Sequence, residues 1–92
     1  MEFEELLTFI GLKGQIIYHK QSTEEYCRGA IVFDLAFKIK NRTFVIRYFK
    51  IPIERDRPCF LAGSMQTKNK TLGTDITRLY SFSSLIPLIQ ID

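Results

Sequence analysis

The spacing of hydrophobic residues at the start of the chain matches one face of an α-helix. Four apolar residues recur at the i, i+3, i+4 and i+7 positions: Phe3, Leu6, Leu7 and Ile10. Glutamates fall in the first turn, where they complement the positive end of the helix dipole. We therefore predict a helix over residues 2–10 that packs its apolar stripe on a sheet and ends at Gly11 or Gly14 in the left-handed conformation.

From residue 30 the hydrophobic period changes to two, which is the period of a half-buried β-strand. One face of this segment holds five large apolar residues: Ile31, Phe33, Leu35, Phe37 and Ile39. The alternation continues after residues 41–42, where a tight turn would pair Phe37 with Ile46. The sequence therefore predicts a central hairpin over residues 30–53, with one apolar face and one mixed face.

The segments on either side of this hairpin carry weaker patterns. "GQIIYHK", residues 14–20, indicates a short strand. Residues 22–25 have the spacing of a capping box and predict a single helical turn that ends at Gly29. "PCFLAGSM", residues 58–65, is predicted to return as a further strand, so that an antiparallel meander lies over the N-terminal helix.

The C-terminal part is predicted to contain a loop, a short helix and an extended tail. Residues 66–74 are polar and lack periodicity, which favours a mobile loop. Thr74 or Asp75 would cap a short helix through residues 76–80, and Pro87 would interrupt the extended apolar end of the chain. The predicted fold class is α+β, with an N-terminal helix packed on a small, mainly antiparallel sheet of three to five strands and a short C-terminal helix.

Length and composition favour one small globular domain over residues 1–92. The chain has 92 residues, of which 46% are hydrophobic and 25% are charged. These values are close to those of average globular proteins and exclude a disordered or fibrous chain. A chain of this length buries only about two thirds of the surface that its unfolded form exposes, so we expect modest stability.

The N-terminal segment and the cysteines favour a cytoplasmic protein. Acidic residues stand where a secretory signal needs basic ones, and no apolar run of about 18 residues is present. Two cysteines in a chain without a signal, Cys27 and Cys59, are typical of reduced, packed thiols. We therefore predict that the protein is neither exported nor inserted in a membrane.

Candidate catalytic groups are few. His19, the only histidine, could activate Cys27 as a nucleophile, but no third group that would orient the histidine is identifiable. These two residues and Cys59 lack the spacing of a zinc site. Asp34 and residues 48–50, Tyr-Phe-Lys, resemble the Asp and Glu-x-Lys positions of metal-dependent nucleases, but tyrosine replaces the glutamate, so the resemblance implies an inactive scaffold at most. We predict no enzymatic activity, no cofactor and no metal site.

Basic and aromatic residues are interleaved on the central hairpin, as they are on sheets that stack single-stranded bases. The period-two pattern assigns most of the rings to the core, leaves Phe49 beside the charges and places Asp34 diagonal to Arg47. The formal net charge is +3, which favours mild attraction to polyanions. The candidate residues for binding nucleic acid or another partner are Lys38, Lys40, Arg42, Arg47, Phe49, Lys50, Lys68 and Lys70.

Together these patterns favour a small non-enzymatic regulator or inhibitor, of the kind that phages and mobile elements encode, which covers part of a larger protein partner. The alternative is a basic nucleic-acid-binding module that uses the 37–50 hairpin. A third hypothesis is a minimal or degenerate nuclease-like enzyme. The apolar segment over residues 85–91 would need a cover, so the sequence also predicts a homodimer that buries it.

Overall fold

The computed structural model describes residues 2–24, 29–51, 60–69 and 73–89. One helix comes first, α1 (Phe3–Lys13). Five strands follow it: β1 (Gln15–Glu24), β2 (Ala30–Ile39), β3 (Arg42–Ile51), β4 (Phe60–Asn69) and β5 (Gly73–Leu79). The last described elements are a 3-10 turn (Phe82–Leu85) and the one-turn helix α2 (Ile86–Ile89), which continues it directly.

The five strands form one antiparallel sheet in the order of the sequence, β1-β2-β3-β4-β5. This arrangement confirms the predicted α+β fold, with the number of strands at the upper end of the predicted range. Side chains alternate between the two faces of each strand, so the register of each pair determines which residues share a face of the sheet.

Helix α1 forms as the apolar spacing predicts, and it buries Phe3, Leu6 and Ile10. The helix extends past the predicted end, and Gly11 lies within it. Gly14 follows the last turn with extended backbone, so the predicted left-handed stop is wrong. Glycine is required there for another reason: a Cβ atom at position 14 would overlap the carbonyl oxygen of Lys38 on β2.

The central hairpin is present, but its register differs from the predicted one by two residues. The turn residues are Lys40 and Asn41, and Lys40 has a positive φ of 54°. Phe37 therefore pairs with Phe44, and their rings stack with centroids 4.8 Å apart. Because a shift of two residues preserves the side-chain faces, the predicted division into an apolar and a mixed face is confirmed.

Three predictions of local structure are wrong. Residues 22–24 belong to β1 instead of capping a helical turn, and residues 25–28 lie outside the described part of the chain. Residues 66–69 continue β4, and residues 73–79 form β5 instead of a loop and a helix. The short C-terminal helix lies later than predicted, over the segment expected to be extended.

The core lies between one face of the sheet and the two helical segments. Helix α1 lies over β1 and β2, and the 3-10 turn contacts both α1 and β5. Phe82 on this turn packs edge-on against Phe33 and Tyr48, with ring centroids 5.2 Å and 4.7 Å apart. The core cluster consists of Phe3, Leu6, Ile10, Phe33, Leu35, Phe37, Phe44, Ile46, Tyr48, Met65, Leu79, Phe82, Leu85 and Ile89.

The C-terminal segment is part of this core. Leu85 and Ile89 are 0% and 4% exposed, respectively. Ser81 begins the segment with a reciprocal cap, since its hydroxyl accepts from the Ser84 backbone N–H at 3.2 Å and its own N–H donates to the Ser84 hydroxyl at 3.3 Å. The predicted homodimer depends on this apolar segment needing a cover. The chain's own fold buries Leu85 and Ile89, leaves Ile86 and Leu88 half-buried and exposes Pro87.

Candidate binding surface

The second face of the sheet lies opposite the helices. No helix of the described chain packs on it, because α1 and α2 both lie on the core side. Its exposed part extends across all five strands in three rows of paired residues. We call this part the open surface.

The middle row of the open surface is mainly apolar. It crosses the sheet from β1 to β5 through Tyr18, Ala36, Val45, Gln66 and Ile76. Tyr18 and Val45 are each 50% exposed, and Ile76 is 76% exposed. We call this the apolar row. Large apolar side chains that share one exposed row are a feature of binding surfaces, whereas scattered ones are ordinary.

Basic residues lie in the rows on both sides of the apolar row. One row contains Lys38 on β2 and Lys68 on β4, both exposed. The other contains Lys20 on β1 and Arg78 on β5, also exposed, with the Arg47 side chain between them on β3. Alternate residues along a strand are about 7 Å apart, so each basic row lies about 7 Å from the apolar row.

Asp34 is the only acidic residue among the described side chains of the open surface. It pairs directly with Arg47 across β2 and β3, where the predicted contact was diagonal. Arg47 Nε donates to Asp34 Oδ1 at 2.7 Å, and Arg47 Nη2 donates to Oδ2 at 3.4 Å. Five basic residues against one aspartate give the open surface a net charge of +4, compared with +3 for the whole chain.

The open surface ends where the same face of the sheet becomes buried. Ala30 and Val32 are 0% and 2% exposed, although they point away from the helical core. Phe49 pairs with Val32 and is half-buried. The predicted site aromatic therefore lies beyond the open surface, and the exposed aromatic ring on it is Tyr18.

The structure brings only some of the predicted site residues together. Lys38, Arg47 and Lys68 lie on the open surface. Lys40 lies at the tip of the hairpin. Arg42 and Lys50 lie on the hairpin but occupy core-side positions at opposite ends of β3, away from the open surface, and Lys70 lies outside the described residues.

Arg42 and Lys50 have surroundings unlike those of the open surface. The guanidinium carbon of Arg42 lies 5.2 Å from the centroid of the Phe44 ring, on the core side of the sheet. Lys50 borders a shallow cleft of about 260 Å³ together with Glu2, Glu4 and Gln21. Glutamates in this cleft make it a poor site for a polyanion.

Several residues of the open surface were not among the predicted candidates, among them Tyr18, Lys20, Val45, Ile76 and Arg78. Tyr18 follows an irregularity in β1 between Ile16 and Tyr18, which moves it to the open face. Ile76 lies on β5, the strand that was predicted as a helix. Two features of the sequence could have identified this strand. "GTDITRL" is rich in β-branched residues, and Thr74, Ile76 and Arg78 stand at every second position, as residues on one face of a strand do.

The residues that resemble nuclease positions lie on opposite faces of the sheet. Asp34 lies on the open surface, whereas Tyr48 and Lys50 point to the core side of the sheet. Tyr48 is buried, and its hydroxyl donates to the backbone carbonyl of Ser81. Burial raises the pKa of Tyr48 to about 12, and a hydrogen bond with the Ser84 side chain lowers it in part.

Other candidate chemistry is sparse in the described chain. His19 is exposed and borders a second shallow cleft of about 360 Å³ between α1 and β1, together with Phe3 and Leu7. Cys27 and Cys59, the thiols considered at the sequence level, lie outside the described residues. Within the described ranges, no three His, Cys, Asp or Glu residues are grouped so that they could hold a metal ion.

Neither helix in the described part of the chain is long and apolar enough to cross a membrane. Comparison of the chain with protein-family models, with curated proteins and with solved structures finds no significant match.

Proposed function

We propose that this protein is a small non-enzymatic binding protein that attaches to a larger macromolecular partner through its open surface. The observation that carries the proposal is the apolar row, which exposes Tyr18, Val45 and Ile76 between two basic rows. A regulator or inhibitor would act by covering the region of the partner that this surface contacts.

The physical chemistry of the open surface supports binding by contact. Desolvation of the apolar row stabilises a complex at about 25 cal/mol for each Å² of apolar surface removed from water. The basic rows add attraction to an acidic partner and accelerate association with it. Strands β2, β3 and β4 each pair with a neighbouring strand on both edges, which fixes the backbone beneath the central side chains. Binding therefore requires little loss of conformational freedom in the protein.

A nucleic-acid-binding function is the second candidate, and Tyr18 is the observation that favours it. Its ring is half-exposed and lies in the row next to Lys20 and Lys38. Sheets that bind single-stranded nucleic acid stack bases on rings in such surroundings, but they offer two or three rings. Phe49, the other candidate ring, is half-buried beyond the open surface.

Affinity capture with two matched variants tests the proposed function. Ile76→Asp places a negative charge on the apolar row, and Leu12→Asp makes the same change on α1, where the leucine is 84% exposed on the opposite side of the molecule. Tagged wild type and both variants are used to capture partners from cells that produce the protein. We expect one partner that wild type and Leu12→Asp retain and that Ile76→Asp loses.

Direct titration with oligonucleotides separates the two candidate functions. Fluorescence anisotropy is measured with single-stranded and duplex probes at about 50 mM and 200 mM salt. A nucleic-acid-binding protein loses affinity steeply with added salt, because phosphate contacts release counterions. We expect no measurable affinity at either concentration. If Ile76→Asp captures the same partner as wild type, the result contradicts the proposed function, whether that partner is a protein or a nucleic acid.

A further inference from the structure

We propose that the open surface binds one amphipathic helix of a protein partner, which lies across the five strands and carries acidic residues on both sides of its apolar stripe. This inference rests on the proposed function and adds the chemical class and shape of the partner segment. Its basis is the order of the three rows. One row has basic residues on β2 and β4, the apolar row crosses all five strands, and the third row has basic residues on β1, β3 and β5 together with Asp34 on β2.

The dimensions of the apolar row fit a short helix. Neighbouring strands lie about 4.8 Å apart, so the row from Tyr18 on β1 to Ile76 on β5 is about 19 Å long. An α-helix rises about 1.5 Å per residue and therefore covers this length with about 13 residues. Its apolar stripe would contact Tyr18, Val45 and Ile76.

The positions of the basic residues fit the two sides of that helix. An α-helix with its side chains is about 10–12 Å wide, and the basic rows lie about 7 Å to either side of the apolar row. Glutamates on one side would therefore reach Lys38 and Lys68, and glutamates on the other side would reach Lys20 and Arg78.

The same order of rows fits a single strand of nucleic acid less well. Such a strand has one phosphate backbone and would use one basic row, with its bases on the other side of that backbone. Bases over the apolar row would find one exposed ring, Tyr18, while Val45 and Ile76 are aliphatic. The second basic row would then have no phosphates to contact. An acidic amphipathic helix contacts all three rows.

Selection from a helix library tests this inference. The exposed face of a small three-helix scaffold is randomised over about 13 residues, because short isolated peptides do not form stable helices. Clones are selected for binding to the wild-type protein and counter-selected against Ile76→Asp. We expect enriched clones to carry an apolar stripe with Glu or Asp at the positions on both of its sides.

Charge reversal then tests the use of both basic rows by an enriched helix. We expect Lys38→Glu/Lys68→Glu and Lys20→Glu/Arg78→Glu each to weaken binding at least tenfold, as measured by anisotropy. The control Lys13→Glu, which reverses a charge on α1, should change the affinity less than twofold. Circular dichroism of every variant verifies that it is folded.

Four results would overturn the inference. Enriched helices without acidic flanks, or loss of affinity with only one of the two double variants, would exclude recognition by both rows. Failure of any helix to enrich, together with oligonucleotide binding that Ile76→Asp abolishes, would exclude a helical partner but retain the open surface as the binding site. Failure to enrich together with partner capture that is insensitive to Ile76→Asp would overturn both the inference and the proposed function.

Discussion

Phe37 and Phe49 lie on opposite faces of the central hairpin and provide a test of its register at the scale of single residues. Phe37 is 0% exposed and stacks on Phe44, whereas Phe49 is half-buried on the other face. We expect Phe37→Ala to cost about 3–5 kcal/mol of unfolding free energy and Phe49→Ala to cost less. Urea melts followed by circular dichroism measure both. The reverse order would mean that the two faces are exchanged.

Tyr48 makes stability depend on pH in the alkaline range. Its pKa is about 12 in the folded protein and about 10 when unfolded, so its contribution is complete below pH 10 and is lost as the pH rises through 12. Within this window the free energy of unfolding should fall by up to about 1.4 kcal/mol per pH unit.

The variant Tyr48→Phe isolates this titration from that of other groups. It lacks the hydrogen bond to Ser81 and should be about 1 kcal/mol less stable than wild type at pH 7. In urea melts between pH 10 and 12, the difference in unfolding free energy between wild type and the variant should shrink and then change sign. Parallel pH profiles for the two proteins would show that the Tyr48 hydroxyl does not remain neutral in the core.

At the scale of secondary-structure elements, the sequence correctly predicts the elements that bury one face over most of their length. Helix α1 and strands β2 and β3 have this property, and their apolar spacing identifies them. The position of the tight turn was predicted incorrectly, because Lys40 has the positive φ that turn propensities assign to asparagine or glycine. The resulting change in register left the two faces intact.

Strand β5 shows why other elements could not be predicted. Ile76, Leu79 and Tyr80 have the i, i+3, i+4 spacing of a helix, and this spacing favoured the wrong element. In the folded chain only Leu79 of the three is buried, while Ile76 and Tyr80 are exposed. Pairing with β4 decides the structure of this segment, and a single sequence does not display such long-range partners. Because this strand was predicted as a helix, Ile76 was not recognised as the residue that ends the apolar row.

Removal of the C-terminal helical segment tests its place in the core. Deletion of residues 82–92 would remove Phe82, Leu85 and Ile89, which contribute to the single core cluster of the described chain. We expect the truncated protein to unfold, as judged by circular dichroism. Light scattering of the intact protein gives its mass. If the truncated chain remains folded and the intact protein is a dimer, the segment serves the predicted dimer interface and not the core of its own chain.

At the scale of the whole molecule, the distribution of charge separates the two sides. Asp34 on the open surface and Glu5 on α1 are both acidic, and Asp34→Asn and Glu5→Gln change the net charge equally. We expect Asp34→Asn to elute from a heparin column at distinctly higher salt than Glu5→Gln, because it strengthens the positive field of the open surface. The partly exposed ion pair with Arg47 contributes about 1 kcal/mol, so the variant should remain folded.

Equal elution of these two variants would contradict the concentration of positive charge on the open surface. The same proteins also test the third hypothesis from the sequence. A nuclease that depends on Asp34 would lose activity in Asp34→Asn and retain it in Glu5→Gln. We expect neither the variants nor the wild type to cleave DNA or RNA in the presence of Mg²⁺.

Site-specific photo-crosslinking tests the central claim, that the open surface is the binding site, most directly. Benzoylphenylalanine replaces Ile76 on the apolar row in one protein and Leu12 on α1 in another, and both are irradiated in cells that produce them. We expect a discrete covalent adduct from position 76 and none from position 12, with the adduct sensitive to protease and resistant to nuclease. An adduct from position 12 alone, or equal adducts from both positions, would contradict the claim.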